Sequence, residues 1–158
     1  MINKNTFMTE QEIDFGNKNA KSACIILINP NGDQSILAMT RKSDFHDVGF
    51  PGGKLEDGET ALDAAVRECY EETGMLVEKE SLIPVHCAIA KTSLCFTFLA
   101  NKMVGGALLP KSREGMPLWI NMHMLLKDTC TYKKYNLHCI TKLISKGIVQ
   151  NTFVEKKK

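Results

Sequence analysis

Glu68, Glu71 and Glu72 are the residues whose types and spacing most directly suggest chemistry. At i, i+3 and i+4 they share one face of any helix that carries them. Carboxylates so crowded repel one another unless a cation relieves them. Arg67 sits beside them, but one guanidinium does not neutralise so many acids. Hard oxygen ligands in this arrangement suit Mg²⁺ or Mn²⁺. The loop just before them holds Gly52, Gly53 and Gly58, which allow main chain to approach a ligand closely. A carbonyl of that loop can join the carboxylates around a metal, and Lys54 can counter phosphate charge. Taken alone, the three glutamates fit a solvated acidic stripe better than a metal site.

The longer spacing reverses that preference. Gly53, five residues, Glu59, seven residues, then Arg67-Glu68, Cys69, Tyr70, Glu71-Glu72, Thr73, Gly74 and Met75 resemble the Nudix box at every specified position. Phe50-Pro51-Gly52 is similar to the family's usual lead-in, and Cys69 stands where the family more often has an aliphatic residue. The resemblance implies an α/β fold, an α/β/α sandwich around a central mixed β-sheet. It implies a hydrolase that cleaves a nucleoside diphosphate linked to another group, with a small-molecule nucleotide as substrate. Glu68, Glu71 and Glu72 would then hold Mg²⁺ or Mn²⁺, helped by the carbonyl of Gly52 or Gly53. Glu68 would be the base, and Arg67 would orient the glutamates. Metals neutralise pyrophosphate and lower the pKa of a water, and a carboxylate removes its proton.

Outside the box, Arg41 and Lys42 stand where MutT-like members carry basic residues facing substrate, though a plain solvated pair fits equally. Glu114 resembles a late-loop glutamate that adds a metal ligand or base in several members. Trp119, in Pro117-Leu118-Trp119-Ile120, reads as a core aromatic. The four histidines have no mutual spacing for a metal site. The expected substrate is a (deoxy)nucleoside triphosphate cleaved to monophosphate and pyrophosphate, without sharp preference for an 8-oxo base. ADP-ribose, a dinucleoside polyphosphate, coenzyme A or a capped RNA end are alternatives of the same chemistry. A non-catalytic binding module is a remote third reading, because no box glutamate is lost.

The elements that must position these groups are marked by local signals. Thr60 to Thr73 is the best helix, capped by Thr60 and closed by Gly74. Its packing side is expected to carry Leu62, Ala65, Val66, Cys69 and Tyr70. Ser22–Asn29 and Ser35–Thr40 flank Pro30-Asn31-Gly32-Asp33 and read as a hairpin. Leu82–Ala90 and Leu94–Ala100 read as a second. Asn101–Gly115 is expected to be a loop, Pro117–Ile120 a short strand, and Asn121 the cap of a short helix through Leu126. Leu137, Ile140, Leu143 and Ile144 have the spacing of an amphipathic helix that stops at Gly147.

Composition bounds the rest. The 158 residues are 44% apolar and 24% charged, an ordinary globular mix that suits one domain over 1–158. Within it, 1–21 is expected to be an irregular or edge segment and 150–158 a basic tail. Twenty basic residues against 18 acidic ones leave a net charge of +2, no strong signal for nucleic acid. The six cysteines include no Cys-x-x-Cys pair, which disfavours zinc and redox motifs. No signal peptide or membrane span is expected, and the implied protein is soluble, reduced and cytoplasmic. A homodimer is compatible with this composition.

Overall fold

Thr9 opens the first element of the chain, whose computed structural model describes residues 2–153. Its hydroxyl accepts the Glu12 N–H at 3.1 Å, and the Glu12 carboxylate accepts the Thr9 N–H at 3.0 Å. This reciprocal cap starts helix α1, Glu10–Asn19, so ten residues of the segment expected to be irregular over 1–21 are helical. The helix is polar and leaves Phe15 exposed, so its apolar period is faint. Ile13 and Gly16 are what it buries. Of the basic tail expected over 150–158, residues 154–158 lie outside the described residues.

The main sheet has the order β4-β1-β7-β6. Strand β1, Ser22–Ile26, runs parallel to β7, Ser93–Ala100, and antiparallel to β4, Gly52–Lys54. Strand β6, Leu82–Ala90, forms with β7 the expected hairpin. The other expected hairpin is built only beside its turn, where the Asn29 N–H donates to the Ser35 carbonyl at 2.8 Å and the Leu37 N–H to the Leu27 carbonyl at 2.9 Å. Strand β2, Ile36–Thr40, meets only the stretch just after β1, through the Ile28–Ile36 bridge and the adjoining bonds. It then joins a separate sheet, between β3, Val48–Gly49, and β9, Pro117–Ile120. All five residues of β2 are buried. Such a strand needs cover on both faces, which a two-stranded ribbon cannot give.

The segment expected to be a loop over 101–115 also contains a strand. Strand β8, Met103–Gly106, pairs with β5, Met75–Val77. Gly106 has φ +90° and lies against the backbone of Gly74, a close approach that no side chain would permit.

Alternation along β1 divides the interior into two cores, as the sandwich requires. Ala23 and Ile25, with Phe96 and Phe98, face Ile13 of α1 and the small residues of helix α2, Ala61–Thr73. Ile26, with Val85, Cys95 and Leu99, faces Tyr135, Ile140 and Leu143 of helix α3, Lys133–Ser145. Asn121 caps the short 3₁₀ segment Met122–Leu126 as expected. On α2 the buried side is Ala61, Ala64, Ala65 and Cys69, whereas Tyr70 is 54% exposed. Small residues win that face because α2 lies close on β1 and β4. The fold is thus a mixed α/β sandwich with α1 and α2 on one side and α3 on the other.

Candidate active site

Helix α2 begins where Thr60 accepts the Asp63 N–H at 3.1 Å and ends at Gly74, left-handed at φ +80°. These two stops set its register against β4. The strand can lie close because its residues are glycines. A Cβ on Gly53 would stand 2.6 Å from Glu68 Oε1, and one on Gly52 would stand 2.6 Å from Cys24 Sγ. The Glu68 carboxylate therefore rests on bare backbone. The Gly52 N–H donates to Glu72 Oε1 at 2.6 Å.

Arg67 organises the neighbouring acids. Its Nε and Nη2 grip both oxygens of Glu59 at 2.8 and 2.9 Å, while Nη2 also donates to the Lys54 carbonyl at 3.1 Å. Its Nη1 donates to Glu68 Oε1 at 2.8 Å and to Glu71 Oε2 at 3.1 Å. Five N–H donors thereby meet five acceptors. None is left for a substrate, so Arg67 is a positioning residue. Its guanidinium holds the Glu59 carboxyl below the usual carboxylate range.

The two inner glutamates behave oppositely to Glu59. Burial pushes Glu72 up to about 8 despite the Gly52 N–H, and the charges of Glu68, Glu114 and Glu71 add to the rise. Burial likewise raises Glu68, opposed by Arg67 and reinforced by Glu71 and Glu114. Among the described residues, no three His, Cys, Asp or Glu side chains converge as a ready-made cage. Arg67 and the Gly52 N–H instead take one oxygen from each of Glu68 and Glu72. A carboxyl driven toward protonation first by burial and then by its acidic neighbours is what an uncompensated hard-cation site looks like. The donor set fits Mg²⁺ or Mn²⁺.

These groups line a cavity of about 520 Å³ between the end of the main sheet and the first turns of α3. One wall holds Gly52, Gly53, Glu68 and Glu72. Glu114 reaches the same cavity because its loop is tied to the end of β2: Met116 N–H donates to Thr40 Oγ1 at 2.9 Å, and Thr40 N–H to the Met116 carbonyl at 3.0 Å.

The family model described as the NUDIX domain matches residues 18–137, most of the chain. The chain belongs to the NUDIX family. The uncharacterized Nudix hydrolase YvcI of Bacillus subtilis is 36% identical over 76 residues, 44% of this chain and 48% of that protein. The match thus spans about half of that relative's length. A MutT protein structure from Bacillus halodurans is 25% identical, with TM-score 0.55, covering 68% of this chain and 71% of its own. A NUDIX hydrolase structure from Nitrosomonas europaea, at 19% identity, shares the fold with TM-score 0.65 over 88% of this chain and 97% of its own.

Within this NUDIX domain the residues singled out from the sequence divide in two. Gly52, Gly53, Lys54, Glu68, Glu72, Glu114 and Arg41 all line the cavity. Glu71, Arg67 and Lys42 are not among its lining residues. Glu71 is exposed and bound to Arg67, and Lys42 is exposed in the loop after β2. Arg41 is also exposed, but at the rim of the cavity its guanidinium lies 5.3 Å from the centre of the Tyr132 ring and its Nε 3.4 Å from Asp47 Oδ2.

The far wall of the NUDIX cavity is not evident from the sequence. It carries Tyr132, Asn136 and, at the β6–β7 tip, Lys91. Asn136 is 1% exposed, and its Nδ2 donates to the Leu125 carbonyl at 3.0 Å. Among the described residues its Oδ1 has no partner, so the amide offers an acceptor and one N–H. The available signal is its position four and seven residues before Ile140 and Leu143: an amide on the apolar stripe of α3.

Proposed function

We propose that this chain hydrolyses (deoxy)nucleoside triphosphates to monophosphate and pyrophosphate with a divalent cation. One observation carries the reading. A single cavity joins a carboxylate and glycine wall to the cations Arg41, Lys54 and Lys91 and to the buried amide of Asn136. Three cations suit a polyphosphate chain, and a half-used amide suits the polar edge of a base.

Glu68 and Glu72 would hold Mg²⁺ or Mn²⁺ with the Gly53 carbonyl, and Glu114 would complete the oxygen set. When bound, the ion neutralises the pyrophosphate and makes water more acidic. The chain's own residues do the rest. Gly52 and Gly53 let phosphate oxygens approach the main chain, while Arg41 and Lys54 offset their charge. Arg67 holds Glu68 Oε1 and so fixes the carboxylate that would accept the proton of the attacking water. Asn136 offers hydrogen bonds to the base from the far wall.

The purified chain should be incubated with Mg²⁺ and separate nucleoside triphosphates, ADP-ribose and dinucleoside polyphosphates, the products being resolved by ion chromatography. Equimolar pyrophosphate and monophosphate from at least one triphosphate is the expected result. Cleavage of ADP-ribose or a dinucleoside polyphosphate with every triphosphate intact would replace this substrate class. Asn136→Ala should raise KM for the best triphosphate on the order of tenfold, with kcat much less affected.

A further inference from the structure

One carboxylate lining the cavity stands apart from the glutamate wall. Asp47, in the loop between β2 and β3, has a side chain only 12% exposed. An anion there repels phosphate unless neighbours take up its charge. They do so from two directions. Oδ1 accepts the Thr131 N–H at 2.9 Å and Oδ2 accepts the Thr131 hydroxyl, while Arg41 Nε lies 3.4 Å from Oδ2. Burial alone would raise the Asp47 carboxyl; Thr131 and Arg41 outweigh it and hold the group below the ordinary carboxylate range. Thr131 directly precedes Tyr132, which opens α3 without a side-chain cap of its own. Asp47 thus supplies, from another segment, the negative charge that a helix start favours. One turn on, the Asn136 N–H donates to the Tyr132 carbonyl at 2.8 Å.

We propose that Asp47 is a positioning residue that ties the phosphate cation Arg41 to the helix start carrying Tyr132 and Asn136, and so fixes the spacing between the phosphate and base ends of the substrate. The inference rests on the proposed function for the roles of Arg41 and Asn136. Both oxygens of Asp47 are engaged within the protein, so it acts through its partners. Arg41 is 46% exposed, and without Asp47 its long side chain must be ordered by the phosphate itself, which costs affinity. A second tie joins the same segments: Thr129 Oγ1 donates to the His46 carbonyl at 2.7 Å. That bond keeps the loop on the start of α3 when Asp47 is replaced, so Asp47 variants should fold. Charge and position then give opposite signs. By charge alone, removing an anion from a phosphate cavity tightens polyphosphate binding. Loss of Arg41's placement weakens it.

The test compares Asp47→Ala and Thr131→Val with the wild-type full chain. Calorimetric titration with inorganic tripolyphosphate and Mg²⁺ reads the phosphate end. Triphosphate kinetics read both ends, and amide exchange reads the tie without substrate. Asp47→Ala should bind tripolyphosphate about tenfold more weakly and raise KM by at least that factor, with kcat within about threefold. Thr131→Val keeps the Arg41 contact, so tripolyphosphate binding should stay while KM rises roughly threefold. In the metal-free chain, exchange of the Thr131 amide should be at least about tenfold faster in Asp47→Ala. Unchanged or tighter tripolyphosphate binding by Asp47→Ala would overturn the proposal, as would a fall in kcat without a rise in KM. A higher Mg²⁺ requirement would also overturn it, by making Asp47 a metal ligand. Thr131 exchange at the wild-type rate would remove the tie itself. Exchange needs no turnover, so a wild-type chain that leaves every triphosphate intact would fail the proposed function and still show whether Asp47 holds α3.

Discussion

The Gly52 N–H holds Glu72 Oε1 at 2.6 Å across the joint between β4 and α2, and it is the sole hydrogen-bond donor to that carboxyl among the described residues. One backbone donor does not offset burial and three acidic neighbours, so the Glu72 carboxyl titrates near 8.

That value makes the stability of the metal-free protein pH-dependent. The folded pKa of about 8 lies above the ordinary 4.5, so the folded state binds the proton more tightly. The stabilisation is complete below about pH 4.5 and is lost as the pH rises toward 8. Its size is on the order of a few kcal/mol. Thermal melts in EDTA should show Tm falling between pH 5 and pH 8, a slope absent from Glu72→Gln. Mg²⁺ or Mn²⁺ should restore Tm at the alkaline end. A flat wild-type profile would mean that the Glu72 carboxyl is already compensated.

Arg67 should fail as lysine. Lysine keeps the charge but has three donors and no planar fork, so it cannot hold Glu59, Glu68, Glu71 and the Lys54 carbonyl together. For Arg67→Lys the expected outcome is a kcat at least about tenfold lower with KM changed little, because the residue orients Glu68 without meeting substrate. The pH–rate profile should shift as well, since Arg67 opposes the rise of Glu68. A higher KM with kcat intact would instead put the guanidinium on the substrate.

Glu114 can be separated from the box glutamates. It lines the cavity and stands near enough to raise both Glu68 and Glu72. If it completes the metal's oxygen set, Glu114→Gln should lower kcat while substrate affinity is kept. Steady-state kinetics over a range of Mg²⁺ should then show a higher Mg²⁺ requirement. Unchanged parameters would make it a solvated loop residue.

Legibility in the sequence tracks how local the signals are. Thr60, Gly74 and the acids between them lie within one helix, so α2 and the carboxylate wall are legible together. The same kind of cap, Thr9 with Glu12, marks α1, but a polar helix with little apolar period conceals it. The turn at Pro30–Asp33 is plain from its residue types, yet turn chemistry cannot say that β1 and β2 part into different sheets. The far wall is non-local: Tyr132 and Asn136 meet Gly52 and Glu72 only after α3 packs on the sheet. Arg41 and Lys42 are adjacent in sequence and both exposed, yet only Arg41 lines the cavity, because Asp47 and Tyr132 hold its guanidinium there.

The central claim is that the carboxylate wall performs the hydrolysis, and turnover of the best triphosphate by Glu68→Gln under saturating Mg²⁺ tests it most directly. Glutamine keeps the shape and the Arg67 contact but cannot take a proton. A kcat lower by at least about a hundredfold is the predicted result. The metal-free Tm should equal or exceed that of wild type, because one of the crowded charges is gone. Turnover near the wild-type rate, in a variant that melts normally, would contradict the assignment of this wall as the site.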